Sequence, residues 1–184
     1  FTALQALRAG NLQAGQKILV NGASGGVGTI AIQIAKAIGA EITGVCSARN
    51  IDLVCSLGAN HVIDYTKQDY TKTGQQYDMI LDTINNLSIS ARRRVLKPSG
   101  SCVVVGFGSL IKMIKVALLG KRGDKKVSFI LANRAKEDLL IIREMLEAGT
   151  VKPVIDRYYS FNQIPEAIRY LETGRARGKI IINI

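Results

Sequence analysis

Asn21-Gly22-Ala23-Ser24-Gly25-Gly26-Val27-Gly28 lies between an apolar run, Lys17-Ile18-Leu19-Val20, and a helical pattern over residues 29–40. Strand, glycine turn and helix in that order are the signature of a dinucleotide site. Ala23, Gly25 and Gly28 occupy the three glycine positions of G-x-G-x-x-G, with alanine at the first. Glycine at 25 lets a pyrophosphate approach the backbone, and glycine at 28 lets the helix pack close to the strand. The free N–H groups of the helix start favour an anion. A glycine turn by itself can bind nothing, so its surroundings decide. Val27, Ile30, Ala31, Ile34, Ala35 and Ile38 recur at helical spacing, which lets one helix face lie on a sheet. Gly39 stops that helix, and Glu41-Ile42-Thr43-Gly44-Val45-Cys46 reads as the next strand, completing a βαβ unit.

The same rhythm continues outward. A short helix over residues 51–57 precedes a strand, His61-Val62-Ile63-Asp64-Tyr65; a polar loop then leads to the strand Asp78-Met79-Ile80-Leu81-Asp82. Residues 88–96 read as helix, Lys97-Pro98-Ser99-Gly100 as its stop and turn, and Ser101-Cys102-Val103-Val104-Val105-Gly106 as a fully buried strand. Residues 126–131 add a sixth strand. A long helix over 135–148 ends at Gly149, and the remainder reads as Pro153-Val154-Ile155, a helix over 164–172 and a last strand over 179–184. Parallel strands need such helical crossovers. The expected fold class is therefore α/β: a Rossmann, doubly wound parallel six-stranded sheet in the order 3-2-1-4-5-6 with helices on both faces. The cofactor would lie across the carboxyl ends of the strands. Val105-Gly106-Phe107-Gly108 falls at one such end, where small residues let a nicotinamide or ribose approach, although a plain strand-to-helix turn reads the same way.

A chain of 184 residues with 47% hydrophobic content suits one domain with a buried parallel sheet. No apolar run approaches the ~20 residues of a membrane span, and the first residues lack the basic and apolar regions of a signal peptide, so a soluble, cytoplasmic protein is expected. Cys46, Cys55 and Cys102 have no metal-like spacing and read as reduced core or near-core thiols. His61, the single histidine, reads as structural. The formal charge of +11 could attract nucleic acid or a phosphorylated cofactor. Its clusters, Arg92-Arg93-Arg94, Lys121-Arg122, Lys125-Lys126 and residues 175–179, have no aromatic-rich segment between them that could stack bases and read as solvated faces or loops.

In an NAD site, an Asp or Glu about 20 residues past the motif meets the ribose hydroxyls, and its charge would repel a 2′-phosphate. Here the second strand ends in Cys46-Ser47-Ala48-Arg49-Asn50, which offers a hydroxyl, a guanidinium and an amide instead. Arg49 can fork a phosphate and Ser47 can donate a further bond, so NADP(H) is expected over NAD(H). Asp52 could meet a ribose, although helix-start capping explains it equally well.

These residues resemble the nucleotide-binding half of the medium-chain dehydrogenase/reductase superfamily, in its zinc-independent quinone oxidoreductase-like branch. Thr2-Ala3-Leu4-Gln5-Ala6-Leu7 is similar to the helix entering that domain, and residues 20–28 to its Ala-Ser-Gly-Gly-Val-Gly loop. Gly58-Ala59-Asn60-His61-Val62-Ile63-Asp64-Tyr65 matches its GA-x-x-VI-[DN]-Y segment, and Gly178-Lys179-Ile180-Ile181-Ile182 its terminal strand. The resemblance implies that Ser24, Gly25, Gly26 and Val27 hold the pyrophosphate. It implies that Ser47 and Arg49, with Tyr65, hold the 2′-phosphate, that Val105 and Phe107 border the nicotinamide, and that Arg175, Ala176 and Arg177 close the site. For Tyr65 a half-buried strand aromatic, and for the arginines a solvated loop, are the competing readings.

The resemblance further implies a separate GroES-like substrate domain outside this chain. Residues 1–184 would form the NADP(H)-binding domain, with 151–184 a tail that contacts the missing part. No zinc constellation is visible in the sequence, and no catalytic acid can be named. The implied activity is hydride transfer from NADPH to a quinone, enone or similar small electron-poor acceptor, with the isolated chain binding cofactor without useful turnover. A homodimer formed by edge-strand pairing is also implied, with Cys102 to Val105 as the candidate edge and a buried central strand as the alternative. Two other classes remain open in the sequence: a non-enzymatic NADPH sensor or scaffold, or basic nucleic-acid-binding module, and an SAM-dependent methyltransferase. The basic end of the second strand argues against the last.

Overall fold

β1 (Lys17–Asn21) sends its side chains to two faces: Ile18 and Val20 join one hydrophobic cluster, Leu19 the other. The same division recurs in β2 (Glu41–Cys46), β4 (Tyr77–Asp82) and β5 (Leu96–Val105), where Ile42, Met79, Leu81 and Val103 face one way and Val45, Ile80, Cys102 and Val104 the other. Period-two alternation between two apolar layers is what a sheet covered on both sides requires. The structure, a computed structural model, describes residues 1–106, 116 and 123–184. With β3 (His61–Asp64) and β6 (Lys126–Ile130), the strands form a six-stranded parallel sheet in the order β3-β2-β1-β4-β5-β6. The expected Rossmann architecture is what the structure shows.

One face is covered by α1 (Thr2–Ala9), α2 (Gly28–Ile38), α3 (Ile51–Ser56) and α5 (Lys136–Glu147), through residues such as Leu7, Ile34, Val54 and Ile142. The other is covered by the 3-10 turn Tyr70–Lys72 and α4 (Ile89–Arg94), with Tyr70, Ile89 and Val116 packed on the strands. α2 ends where Gly39 adopts a left-handed conformation (φ 88°), a position that suits glycine. Polar bonds lock the chain ends to this core. Gln5 and Arg8 of α1 donate to the Asp138 carboxylate on α5, and the Gln33 side chain exchanges two hydrogen bonds with the Lys152 backbone.

Beyond this latch the chain forms β7 (Ile155–Ser160), α6 (Ile164–Glu172) and β8 (Lys179–Asn183); β7 and β8 pair in parallel as a separate two-stranded sheet. Pro165 sits in the first turn of α6, where its missing N–H has no helical partner to lose.

Several expectations need correction. Cys102 to Val105 is not an edge: β5 is flanked by β4 and β6, and the edges of the sheet are β3 and β6. Lys97-Pro98-Ser99-Gly100 does not separate helix from strand. It is an irregular stretch within β5, where the register against β4 shifts between Tyr77 and Met79 and Ser99 takes φ 61°. Of Pro153-Val154-Ile155, to which the sequence assigned no element, only Ile155 is in a strand, which runs on to Ser160. Arg92, expected on a solvated face, is buried, whereas Cys55, expected in or near the core, is exposed.

Candidate functional site

The ends of β1, β2 and β4 open into a cleft of about 1150 Å³, just above the ~300–1,000 Å³ range of small-molecule sites and roomy enough for a two-part ligand. Its walls are the glycine loop, the segment after β2, residues 65–70, the segment after β4 and residues 173–176. A position outside the carboxyl ends of the strands, where the strand order reverses at β1, is where open α/β sheets bind ligands.

Backbone constraint explains the glycine loop. A Cβ on Gly28 would collide with the Gly22 carbonyl and with Ala23, so close approach of α2 to the loop demands glycine there. Gly22 has φ +88°, and a Cβ on it would run into Thr83, whose hydroxyl and N–H both donate to the Asn21 carbonyl. The first turn of α2 contains no acidic residue to oppose an anion. Ser24, Gly25, Gly26 and Val27 all line the cleft.

The end of β2 faces them. Ser47, Arg49 and Tyr65 also line the cleft, and Tyr65 is 61% exposed with its N–H held by the Cys46 carbonyl. Among the described residues Arg49 makes one hydrogen bond, from Nη2 to the Arg175 carbonyl at 2.8 Å, in an exposed setting. Asn50 is buried and donates from Nδ2 to Ser24 Oγ at 3.0 Å and to Ser47 Oγ at 3.3 Å. Cys46 also borders the cleft, but burial, with the charges of Asp64 and Cys55 adding to it, pushes its thiol up to about 11. It is protonated at neutral pH and is no nucleophile.

The end of β4 supplies a buried polar floor. Asp82, fully buried, accepts from Arg92 Nε at 3.0 Å and Nη2 at 2.8 Å on one oxygen. Its other oxygen accepts from Asn21 Nδ2 at 2.9 Å and from the Ile84 and Asn85 N–H groups. These bonds fix the loop after β4, whose Thr83, Ile84, Asn86 and Leu87 wall the cleft. Tyr70 closes that side, its hydroxyl buried without a hydrogen-bond partner among the described residues and its acidity lowered by burial and the nearby Asp82 charge. Asn21, Asp82 and Arg92 carried no expectation as a site. Their signal lies in three-dimensional convergence, since Arg92 sits in a run of arginines.

The tail forms the roof. Gly178 N–H donates to the Ser24 carbonyl at 2.9 Å, and Gly25 and Gly178 form a parallel bridge. Arg175 and Ala176 line the cleft; Arg177 is not among its lining residues, and its N–H bonds the Asp156 carboxylate at 3.0 Å. That carboxylate also accepts from the Tyr170 hydroxyl at 2.6 Å, and Arg157 stacks over the Tyr170 ring. Burial alone would raise the Asp156 pKa, but these two bonds and the nearby arginines outweigh it and hold it below the usual carboxylate range. Val105 packs in the core cluster instead of lining the cleft, and Phe107 lies outside the described residues.

A family model described as "Zinc-binding dehydrogenase" matches residues 57–182. Zinc has no evident holder here: among the described residues no three His, Cys, Asp or Glu side chains gather to bind a metal, and His61 is exposed beside Glu41 at 3.4 Å. Among curated proteins, the chain is 34% identical over 193 aligned positions to "NAD(P)H oxidoreductase RTN4IP1, mitochondrial" of Mus musculus, covering 92% of the chain and 48% of that protein. It is 33% identical to "2-methylene-furan-3-one reductase" of Solanum lycopersicum, covering 99% of the chain and 44% of that protein. The quinone oxidoreductase structure from Coxiella burnetii superposes with a TM-score of 0.90 at 27% identity, over 100% of this chain and 57% of that one. The chain thus spans about half the length of the curated relatives it matches. No helix among the described residues is long and apolar enough to cross a membrane.

Proposed function

The chain belongs to the medium-chain dehydrogenase/reductase superfamily, as its nucleotide-binding part, and we propose that it holds NADP(H) in the cleft described above on behalf of a zinc-independent, quinone oxidoreductase-like enzyme. The observation that carries this reading is the end of β2. No carboxylate from the 47–50 segment lines the cleft; the Ser47 hydroxyl, the Asn50 amide and the Arg49 guanidinium, bonded to the Arg175 carbonyl, do. That donor set suits a phosphate and lacks, at the end of β2, the carboxylate with which NAD sites meet the ribose; Asp69, on another wall of the cleft, is engaged by Thr71 and Lys72.

Residue by residue, the chain would act by binding and orientation. The backbone of Ser24 to Val27 and the start of α2 would receive the pyrophosphate. Ser47 and Arg49 would receive the 2′-phosphate, with Arg49 exchanging its bond to the Arg175 carbonyl for a forked pair. Tyr65 would join Ser47 and Arg49 at the 2′-phosphate, and Phe107 would border the nicotinamide. Arg175 and Ala176, held by the Asp156 latch, would cover the cofactor and limit water. The bound group would supply a hydride from C4 of its nicotinamide to an electron-poor carbonyl or alkene carbon, with quinones and enones as the proposed acceptors.

The acceptor would be seated by a substrate domain that adjoins the tail, residues 151–184, so the chain alone would bind cofactor without useful turnover. A homodimer would use the β6 edge, which the sheet leaves unpaired among the described residues. A cytoplasmic location is part of the same reading. Calorimetric titration of the chain with NADPH and NADH at one moderate salt concentration tests the cofactor assignment: NADPH is expected to bind at least tenfold more tightly, and equal or weaker binding would refute it.

A further inference from the structure

Asn50 stands at the start of α3, where an asparagine ordinarily turns its side-chain oxygen back onto the N–H groups of its own helix. Here it makes no such bond. Its Nδ2 reaches away from the helix to Ser24 Oγ, in the glycine loop, and to Ser47 Oγ, just past β2. Its Oδ1 is buried with no hydrogen-bond partner among the described residues. Turned over, the amide would bury two unsatisfied donors in place of one unsatisfied acceptor, so the observed orientation is the cheaper one.

The consequence follows from the inventory of a hydroxyl, which has one proton to donate. Each serine oxygen accepts from Asn50, so each serine proton is left for a different acceptor, and both serines line the cleft. We propose that Asn50 is a positioning residue that presents Ser24 and Ser47 as donors to two phosphate groups of one ligand, the pyrophosphate and the 2′-phosphate, and so sharpens selection of NADP(H) over NAD(H). This rests on the cofactor reading given above. Ser24 serves both cofactors, whereas Ser47 meets a group that only NADP(H) carries. Loss of Asn50 therefore harms the two cofactors unequally, which loss of mere packing would not do.

The test is calorimetry of the 184-residue chain with NADPH and NADH, comparing the unsubstituted protein with Asn50→Ala, Asn50→Asp, Ser47→Ala and the Asn50→Ala/Ser47→Ala pair. The readout is the ratio of the two affinities, with thermal melting of the free chain as the check on folding. Asn50→Ala should weaken NADPH about tenfold and NADH by less, lowering the ratio several-fold. Asn50→Asp, which keeps the shape but draws both serine protons to itself and adds a charge, should lower the ratio further; it carries the test if the alanine variant does not fold. In the double variant the ratio should fall no lower than in Ser47→Ala alone, because Asn50 acts on the 2′-phosphate through Ser47. An unsubstituted chain that prefers NADPH, with an Asn50 variant that weakens both cofactors equally or neither, would overturn the positioning role and leave the cofactor reading standing. An unsubstituted chain with no preference would overturn both.

Discussion

The two strands that flank β1 end in opposite ways. β4 ends in Asp82, fully buried and bonded to Arg92 through two nitrogens, to Asn21 and to the following backbone. β2 ends in Cys46 and then Ser47, Arg49 and Asn50, of which Arg49 is exposed and spends one nitrogen on one carbonyl. The first arginine is committed to Asp82 and Asn85 within its own protein and serves the fold. The second keeps most of its donors uncommitted and borders the cleft, so it is the one available to a ligand. Two arginines that follow neighbouring strands of β1 thus differ in role because of what surrounds them.

The largest effect expected from that contrast is on stability. Arg92→Ala leaves a buried carboxylate without its cation and should cost about 3–5 kcal/mol in chemical denaturation. Arg49→Ala should stay within about 0.5 kcal/mol of the parent in the same experiment. Similar losses in the two variants would break the comparison.

Next in size is the roof over the β2 end. Gly178 has φ +74°, and a Cβ there would collide with the Val154 carbonyl, so Gly178→Ala should cost about 1–3 kcal/mol and release the bond to the Ser24 carbonyl. Faster hydrogen exchange at the Gly178 amide position, with little change in β1 and β4, is the expected signature. Uniform loss across the sheet would mean that the tail is part of the main core.

Arg49→Ala sharpens the comparison from the side of binding. NADPH affinity should fall roughly tenfold and NADH affinity by much less, with stability nearly unchanged. An equal effect on both cofactors would place Arg49 at a group they share.

The smallest effect concerns pH. Asp156 is held below the ordinary carboxylate value when folded, so its contribution to the tail is complete above that value and is lost as pH falls through the lowered one. The Arg177 amide resonance should accordingly hold steady from neutral pH down to about pH 4 and move only below it. A transition near pH 6 would assign the latch to another group.

What the sequence made legible was whatever is local in the chain. The glycine loop, α2 and β2 follow one another directly, and their periods of 3.6 and 2 can be counted, so the βαβ unit and the strand order came from the residues themselves. Ser24, Gly25, Gly26, Val27, Ser47, Arg49, Tyr65, Arg175 and Ala176 do meet around one cleft. Pairing at a distance was not legible. Arg92 looks like its neighbours Arg93 and Arg94, and only the folded chain sets it against Asp82. Apolar runs such as Cys102 to Val105 read as buried, yet burial does not say whether a strand is internal or at an edge. In the tail, β7 alternates weakly and exposes Tyr158, so its extent depends on β8, which pairs with it from beyond α6.

A crystal structure of the chain with NADP⁺ bound would test the central claim most directly. The account predicts the 2′-phosphate between Ser47 and Arg49, with the Arg49 guanidinium released from the Arg175 carbonyl and forked onto the phosphate. A 2′-phosphate that points to solvent, while Arg49 keeps its bond to Arg175, would contradict it.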